Sequence, residues 1–341
     1  MLGIRTDANE EIAMGHLMRC MSIAKQLKAL GEESVFIISE AYAKSYIEEC
    51  GFKCVCLGNH YNEKESETAV LLEVIKEYSI SKLLLDSYEV TYEYMEALKA
   101  YGRLCYIDDL NLFRYPVDMI INYTFKTDRT KYDRMGYDKE RFLLGEAYVP
   151  LRPEFGQEPV AVKKQADSIF LTTGGTDEYD MIISILKEMQ SDPQLSAMKK
   201  NVVIGKFYRN IEELHRLAEE DGKIRIYHDI PDIWRVMRMS DIAVSAGGTT
   251  LAELCAVGLP TVCFAIAENQ LPGTAAYAAE GLMLFAGSVM TERRQVIERV
   301  VCNVRLLAMD FNKRENMAKK ARSAIDGKGA YRIAEEIVHM P

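Results

Sequence analysis

The chain has 341 residues, 48% hydrophobic and 27% charged, with a formal net charge of −9. That length exceeds one ordinary domain and suits two of Rossmann size, and the negative balance without a basic block argues against electrostatic capture of nucleic acid or anionic lipid as the main activity. No apolar run approaches the ~20 residues of a membrane span and the N-terminus lacks a secretory pattern, so a cytoplasmic protein with no membrane partner is expected.

The first elements carry the most chemistry. Residues 2–6 read as a strand, and from Leu17 to Leu30 apolar residues recur at helical spacing, which places Gly15-His16 at the turn between strand and helix. Unpaired N–H groups and the positive end of the helix dipole disfavour imidazolium there, which keeps the ring neutral and able to accept a proton; His16 reads either as such an acceptor or as a residue capping its own helix. Asp7 and Arg19 are its polar neighbours. Further strands follow at 34–38, 53–57, 82–85, 103–107 and 118–121, with helices at 41–50, 64–78 and 91–101, an alternation that implies a parallel sheet covered by helices. Polar residues end several of these strands: Asp86, the pair Asp108-Asp109, and Asn122. Adjacent acids on a strand point to opposite faces, so at most one of Asp108 and Asp109 looks toward a ligand.

Around 149–158 two prolines and a glycine interrupt the pattern and mark a linker, about 151–158, between a domain at 1–150 and one at 159–341. A second series then begins: strand 167–172, helix 179–190, strand 201–204, helix 210–220, strand 223–227, helix 231–238 and strand 241–245. It continues with helix 249–257, strand 260–264, helix 270–280, a short strand near 282–285 and helical segments that either cap this sheet or return to the first domain. Two doubly wound, Rossmann-like α/β domains with an intervening cleft follow, with ligands expected beyond the carboxyl ends of the strands.

Two glycine turns lie at such ends, Gly174-Gly175-Thr176 and Gly247-Gly248-Thr249. Glycine lets the backbone approach a phosphate, and the N–H groups of the next helix supply uncharged donors suited to a diphosphate. Glu253 is positioned for a ribose hydroxyl, and Asn269-Gln270, after the strand at 260–264, for sugar hydroxyls or a base edge. Neither turn is G-x-G-x-x-G and no G-x-x-x-x-G-K-[ST] occurs, so neither a dinucleotide cofactor nor P-loop chemistry is expected. The five histidines are scattered without an H-x-x-x-H or H-x-H pair, and the eight cysteines contain no C-x-x-C. No metal and no cofactor are therefore expected, and the thiols read as reduced and mainly buried. No G-x-S-x-G elbow supports serine chemistry.

Taken together, Gly15-His16-x-x-Arg19, Tyr106-Ile-Asp108-Asp109, Leu171-Thr-Thr-Gly174-Gly175-Thr176-Asp177 and Ala265-Ile-Ala-Glu-Asn269-Gln270 resemble the UDP-2,4-diacetamido-2,4,6-trideoxy-β-L-altropyranose hydrolases of pseudaminic acid biosynthesis. Spore-coat polysaccharide biosynthesis proteins share the pattern. The segment from Ser245 to Pro260 is also similar to the nucleotide-binding region of the peptidoglycan N-acetylglucosaminyltransferases, and its Gly-Gly-Thr-Thr is closer to those than to the hydrolases. The resemblance implies the two-domain glycosyltransferase-B fold with UDP held by the C-terminal domain. It implies that the Gly174, Gly247 and Glu253 regions face the nucleotide and that His16 accepts a proton from water without a metal ion.

The expectation is inverting hydrolysis of a UDP-linked sugar, with Asp7 or Asp109 orienting the water or the sugar and Gly15, Arg19, Asp108 and Asn122 near the substrate. Glycosyl transfer from the same donor class is the alternative. A non-catalytic nucleotide-sugar-binding protein, with His16 as a cap, is the second. Residues 290–341 carry no signature of the family.

Overall fold

A computed structural model of the chain describes residues 1–12 and 14–340; Ala13, beside the Gly15-His16 turn, and Pro341 lie outside the described residues. The chain divides into two compact units. The first holds Met1–Pro153 and the residues from Lys328 onward, and the second is Glu154–Gly327.

In the first unit the strands are β1 (Leu2–Thr6), β2 (Ser34–Ile38), β3 (Lys53–Cys56), β4 (Lys82–Asp86), β5 (Arg103–Ile107), β6 (Met119–Asn122) and β7 (Arg141–Leu144). Between them lie α1 (Gly15–Ala29), α2 (Lys44–Glu49), α3 (Lys64–Glu77), α4 (Tyr92–Lys99) and the single turn α5 (Thr130–Asp133). All neighbouring strands pair parallel, in the order β3-β2-β1-β4-β5-β6-β7. A parallel sheet covered on both faces has to be apolar on both, which is why β2, β4 and β5 read as nearly continuous hydrophobic runs. β7 and α5, four residues each, are not expected from the sequence. β1 pairs with β2 on one side and β4 on the other. The strand order reverses there, so a crevice opens beyond the carboxyl ends of β1 and β4.

In the second unit β8 (Ser168–Thr172), β9 (Lys199–Ile204), β10 (Ile224–His228), β11 (Ile242–Ala246), β12 (Thr261–Ala265) and β13 (Leu284–Ser288) form a parallel sheet in the order β10-β9-β8-β11-β12-β13. α6 (Met181–Gln190), α7 (Ile211–Glu220), α8 (Ile233–Arg238), α9 (Thr250–Val257) and α10 (Leu271–Ala279) connect the strands, and α11 (Val289–Met309) and α12 (Phe311–Ala324) follow the last of them. The same reversal occurs between β8 and β11.

The expected run of the second domain to residue 341 is corrected by the last helix, α13 (Gly329–Val338), which belongs to the first unit. Its Ala330, Ile333, Ala334 and Ile337 are buried in the core that also takes Leu17, Cys20, Met21, Ala24 and Leu27 of α1. The 3–4 spacing in both helices makes one apolar stripe each, and the stripes face each other. Lys82 Nζ donates to the carbonyls of Ile337 (3.0 Å) and Val338 (2.7 Å), a cation at the carbonyl end of α13. Gly329 permits the approach, because a Cβ there would stand 2.2 Å from the Val149 carbonyl oxygen. Among the described residues no helix is long and apolar enough to cross a membrane.

Candidate active site

The crevice of the first sheet brings together two residues seventy positions apart. His16 is the second residue of α1, and Asp86 is the last of β4. The Nδ1 of His16 lies 2.7 Å from Oδ1 of Asp86, whose side chain is wholly buried. Arg19, one turn further along α1, donates from Nε to Asp86 Oδ2 at 2.6 Å and from Nη2 to Oδ1. Its Nη1 donates to Asp109 Oδ2 at 2.7 Å and to the Tyr123 hydroxyl.

These contacts decide the protonation of the pair. Burial pushes the Asp86 carboxyl up, but the charge of Arg19 and the hydrogen bonds from Arg19 and His16 outweigh it and hold the group below the usual carboxylate range. Burial likewise opposes the charge on Arg19, yet Asp86, Tyr123 and Asp109 keep it firmly cationic. An ionised Asp86 accepts the Nδ1 proton of His16, which assigns the tautomer through the hydrogen-bond network and leaves the lone pair on Nε2. Among the described residues Nε2 has no hydrogen-bond partner, and it is not a sealed atom. It borders a recess of about 250 Å³, counting space open to solvent, whose wall includes Ile12, Tyr61, Ser87, Tyr88 and Glu89. A base held by a buried carboxylate, with its second nitrogen open, is the arrangement general-base catalysis requires.

The other acids expected here are placed differently. Asp7 reaches the recess wall, but its oxygens are taken by Arg5 (2.7 Å), Lys64 Nζ (2.7 Å) and the Ser39 N–H (2.8 Å). Burial raises its carboxyl, and Arg5 and Lys64 more than compensate, holding it at about 2. Its role in orienting water therefore passes to no free oxygen; Asp86, and not Asp7, is the carboxylate on the histidine. Asp7 belongs to a buried ionic cluster in which Glu67 accepts from Arg5 Nε (2.8 Å) and Nη2 (2.7 Å) and from the Tyr94 hydroxyl (2.6 Å). Asp109 stands beside the pair, accepting from Arg19 and from the Tyr88 hydroxyl at 2.9 Å.

Asp108 points the other way. It is fully buried and accepts from the Tyr115 and Tyr132 hydroxyls and two backbone N–H groups. Asn122 donates to the same Tyr132 hydroxyl and accepts from the Thr124 N–H. The oxygens of Asp108 are engaged inside the fold, and Asn122 is tied to the same Tyr132 hydroxyl, so both residues act in this structure as pins between elements. The donors of Arg19 serve Asp86, Asp109 and Tyr123, and its Nη2 also lies 3.0 Å from His16 Nδ1. Gly15 starts α1 with open space where a Cβ would be, so no close approach demands glycine there.

In the second unit the turns after β8 and β11 flank the strand reversal. Gly174, Gly175, Thr176, Gly248 and Thr249 are exposed. Their helices differ. The Asp177 carboxylate caps α6, accepting from the N–H groups of Met181 and Ile182, both at 2.9 Å. Those donors are therefore not available to a phosphate, contrary to expectation. At α9 Thr249 makes no side-chain cap, and among the described residues the N–H groups of Gly248, Thr249 and Thr250 have no acceptor. This is the helix start that offers anion-binding donors. A Cβ on Gly247 would stand 2.9 Å from Gln270 Cβ and 3.0 Å from Thr274 Cγ2, so glycine lets α10 close against the turn. Gln270 Oε1 accepts from the Ile266 N–H (3.0 Å), which leaves its amide nitrogen for a ligand. Asn269 is exposed beside it, and Glu253 is half-buried on α9. Among the described residues no group of three or more His, Cys, Asp or Glu side chains is placed to hold a metal ion.

Asp86 and Tyr88 are the residues that sequence reasoning left without a role. The signal for both was the polar end of a strongly apolar strand, Leu83-Leu-Leu-Asp86-Ser-Tyr88.

Comparison with known proteins finds a domain match, distant relatives and a shared fold. Residues 169–337 match the glycosyltransferase family 28 C-terminal domain. The spore coat polysaccharide biosynthesis protein SpsG of Bacillus subtilis is 22% identical, with 97% of this chain and 96% of that protein covered. The UDP-2,4-diacetamido-2,4,6-trideoxy-β-L-altropyranose hydrolase of Campylobacter jejuni is 22% identical over 78% of this chain and 92% of its own length. An uncharacterised protein of Methanocaldococcus jannaschii is 24% identical over 79% of this chain, which spans only 56% of that relative. The crystal structure of MurG from Acinetobacter baumannii superposes with a TM-score of 0.69 at 13% identity, covering 99% of both chains.

Proposed function

We infer a functional reading from these relatives and the glycosyltransferase-B fold. We propose that the chain hydrolyses a UDP-linked diacetamido-trideoxyhexose in surface polysaccharide or nonulosonic acid biosynthesis, with His16 as general base. The observation that carries this reading is the His16–Asp86 pair: a buried ionised carboxylate on Nδ1 and an open Nε2 at the crevice of the first sheet. Water placed at Nε2 gives up a proton to the imidazole while its oxygen forms the bond to the anomeric carbon. The bond from that carbon to the UDP oxygen breaks, and UDP leaves as the anion. The free N–H groups at the start of α9 are suited to the diphosphate charge that grows on departure. Attack opposite the leaving group inverts the anomeric centre.

Three measurements test the proposal. In oxygen-18 water the label is expected in the sugar; label in UDP refutes attack at carbon. His16→Asn is expected to lower kcat by roughly 10²–10⁴ while UDP affinity persists; full activity refutes the assignment of the base. The match of residues 169–337 to a glycosyltransferase family favours transfer as the second reading. Release of UDP that depends on an added sugar acceptor establishes that reading, whereas acceptor-independent release supports hydrolysis.

A further inference from the structure

The recess beside His16 has an aromatic wall that the general-base mechanism does not use. Tyr88 follows β4 by two residues and packs its ring edge-on against His16, with centroids 4.5 Å apart and planes at 77°. It is nonetheless 41% exposed. Its hydroxyl is not free to swing, since it donates to Asp109 at 2.9 Å and Asp109 is held in turn by Arg19. The result is a ring fixed at its far end, touching the histidine and open on the recess. Such a surface suits the C–H face of a sugar, because burying it on the ring removes apolar area from water without breaking a hydrogen bond.

The charges around the recess point the same way. Among the described residues neither lysine nor arginine lines it. The cations that pair with its acidic wall residues Asp7 and Asp86, namely Arg5, Lys64 and Arg19, are committed to Asp7, Glu67, Asp86 and Asp109. Glu89 adds an exposed carboxylate to the wall. A carboxylate on the sugar would enter without a counter-charge.

We propose that Tyr88 is the platform on which the sugar ring of the donor stacks, and that its recess admits an uncharged ring and refuses one bearing a carboxylate. This rests on the reading that the first unit takes the sugar of a UDP-sugar. The test is calorimetric binding of UDP-2,4-diacetamido-2,4,6-trideoxy-β-L-altropyranose, UDP-glucuronic acid and UDP alone to the full chain and its variants, with KM and kcat measured in parallel. Tyr88→Ala is expected to weaken the diacetamido donor by about tenfold, the worth of two or three C–H groups stacked on the ring, and to raise KM more than it lowers kcat. UDP alone should bind the variant as it binds the parent. Tyr88→Phe keeps the ring and is expected to recover most of the loss.

Glu89→Gln should narrow the preference for the diacetamido donor over UDP-glucuronic acid. Tyr88→Leu fills the same space without the aromatic face and replaces the alanine variant if that fails to fold. Unchanged donor affinity in Tyr88→Ala or Tyr88→Leu overturns the platform, as does a parent that binds UDP-glucuronic acid as tightly as the diacetamido donor. Failure of the hydrolase reading looks different: the parent then releases no UDP, or His16→Asn keeps full kcat, while sugar-dependent affinity still tracks Tyr88.

Discussion

Replacing Asp86 by Asn is the most discriminating perturbation of the candidate site, because it changes charge without changing shape. The native carboxylate accepts from His16 Nδ1, from Arg19 Nε and Nη2, and from the Cys20 thiol at 3.4 Å. An amide loses the charge and turns one acceptor into a donor, so Arg19 keeps a neutral hydrogen bond from Nε to the remaining oxygen, with Asp109 and Tyr123, but loses its buried counter-charge. Breaking a buried ion pair costs about 3–5 kcal/mol, and the slight exposure of Arg19 together with its remaining partners puts the expectation near the lower bound, about 3 kcal/mol. The catalytic cost is separate. An amide N–H facing Nδ1 favours the tautomer with the proton on Nε2, which disarms the base and predicts a fall in kcat of roughly 10²–10⁴.

The Asp86 carboxyl is held below its unfolded value, so its contribution to stability is complete above the unfolded pKa of about 4 and is lost as pH falls through the native value. Urea unfolding between pH 7 and pH 3 should therefore show a shallower acid loss in Asp86→Asn than in the parent. UDP release and urea melts on the same preparations measure both effects. Activity within twofold of the parent, in a folded variant, would refute the claim that this carboxylate orients the base.

Two further substitutions probe what surrounds the pair. Glu67→Gln leaves Arg5, which is fully buried, without its bidentate partner, and a loss of about 3–5 kcal/mol in the urea-unfolding free energy is expected; a loss under 1 kcal/mol would show that Asp7 and Ser39 suffice. Gly247→Ala places a Cβ 2.9 Å from Gln270 and 3.0 Å from Thr274, so α10 must shift; the expected cost is about 1–3 kcal/mol. Calorimetry should show weaker UDP binding in that variant, and unchanged affinity would remove the Gly247 turn from the nucleotide site.

The parts of this protein that were legible in its sequence are those fixed by local pattern. Alternating apolar runs and helical periodicities gave both parallel sheets, since each strand buried on two faces must be apolar throughout. β7 and α5 were not read from the sequence; α5 is a single turn without helical periodicity. The return of α13 to the first unit was left open by the sequence. Its stripe of Ala330, Ile333, Ala334 and Ile337 shows that a face is buried but not which helix covers it.

The candidate site divides along the same line. Gly15-His16 announced itself by lying at a strand-to-helix turn, and local reasoning then named Asp7 or Asp109 to orient the water or the sugar, with no carboxylate assigned to the imidazole itself. Arg5 and Lys64, which flank Asp7 in space, have claimed its carboxylate. The acid that reaches Nδ1 comes from β4 because β4, and not β3, is the strand that pairs beside β1. In a doubly wound sheet the residue opposite the first turn is the one ending the strand across the reversal, so a polar residue closing the first strand after the crossover is the partner to look for. Leu83-Leu84-Leu85-Asp86 is such an ending, a single acid after three buried leucines. It must be satisfied by something, and the open end of the sheet leaves only the turn that carries His16 and Arg19 to do it.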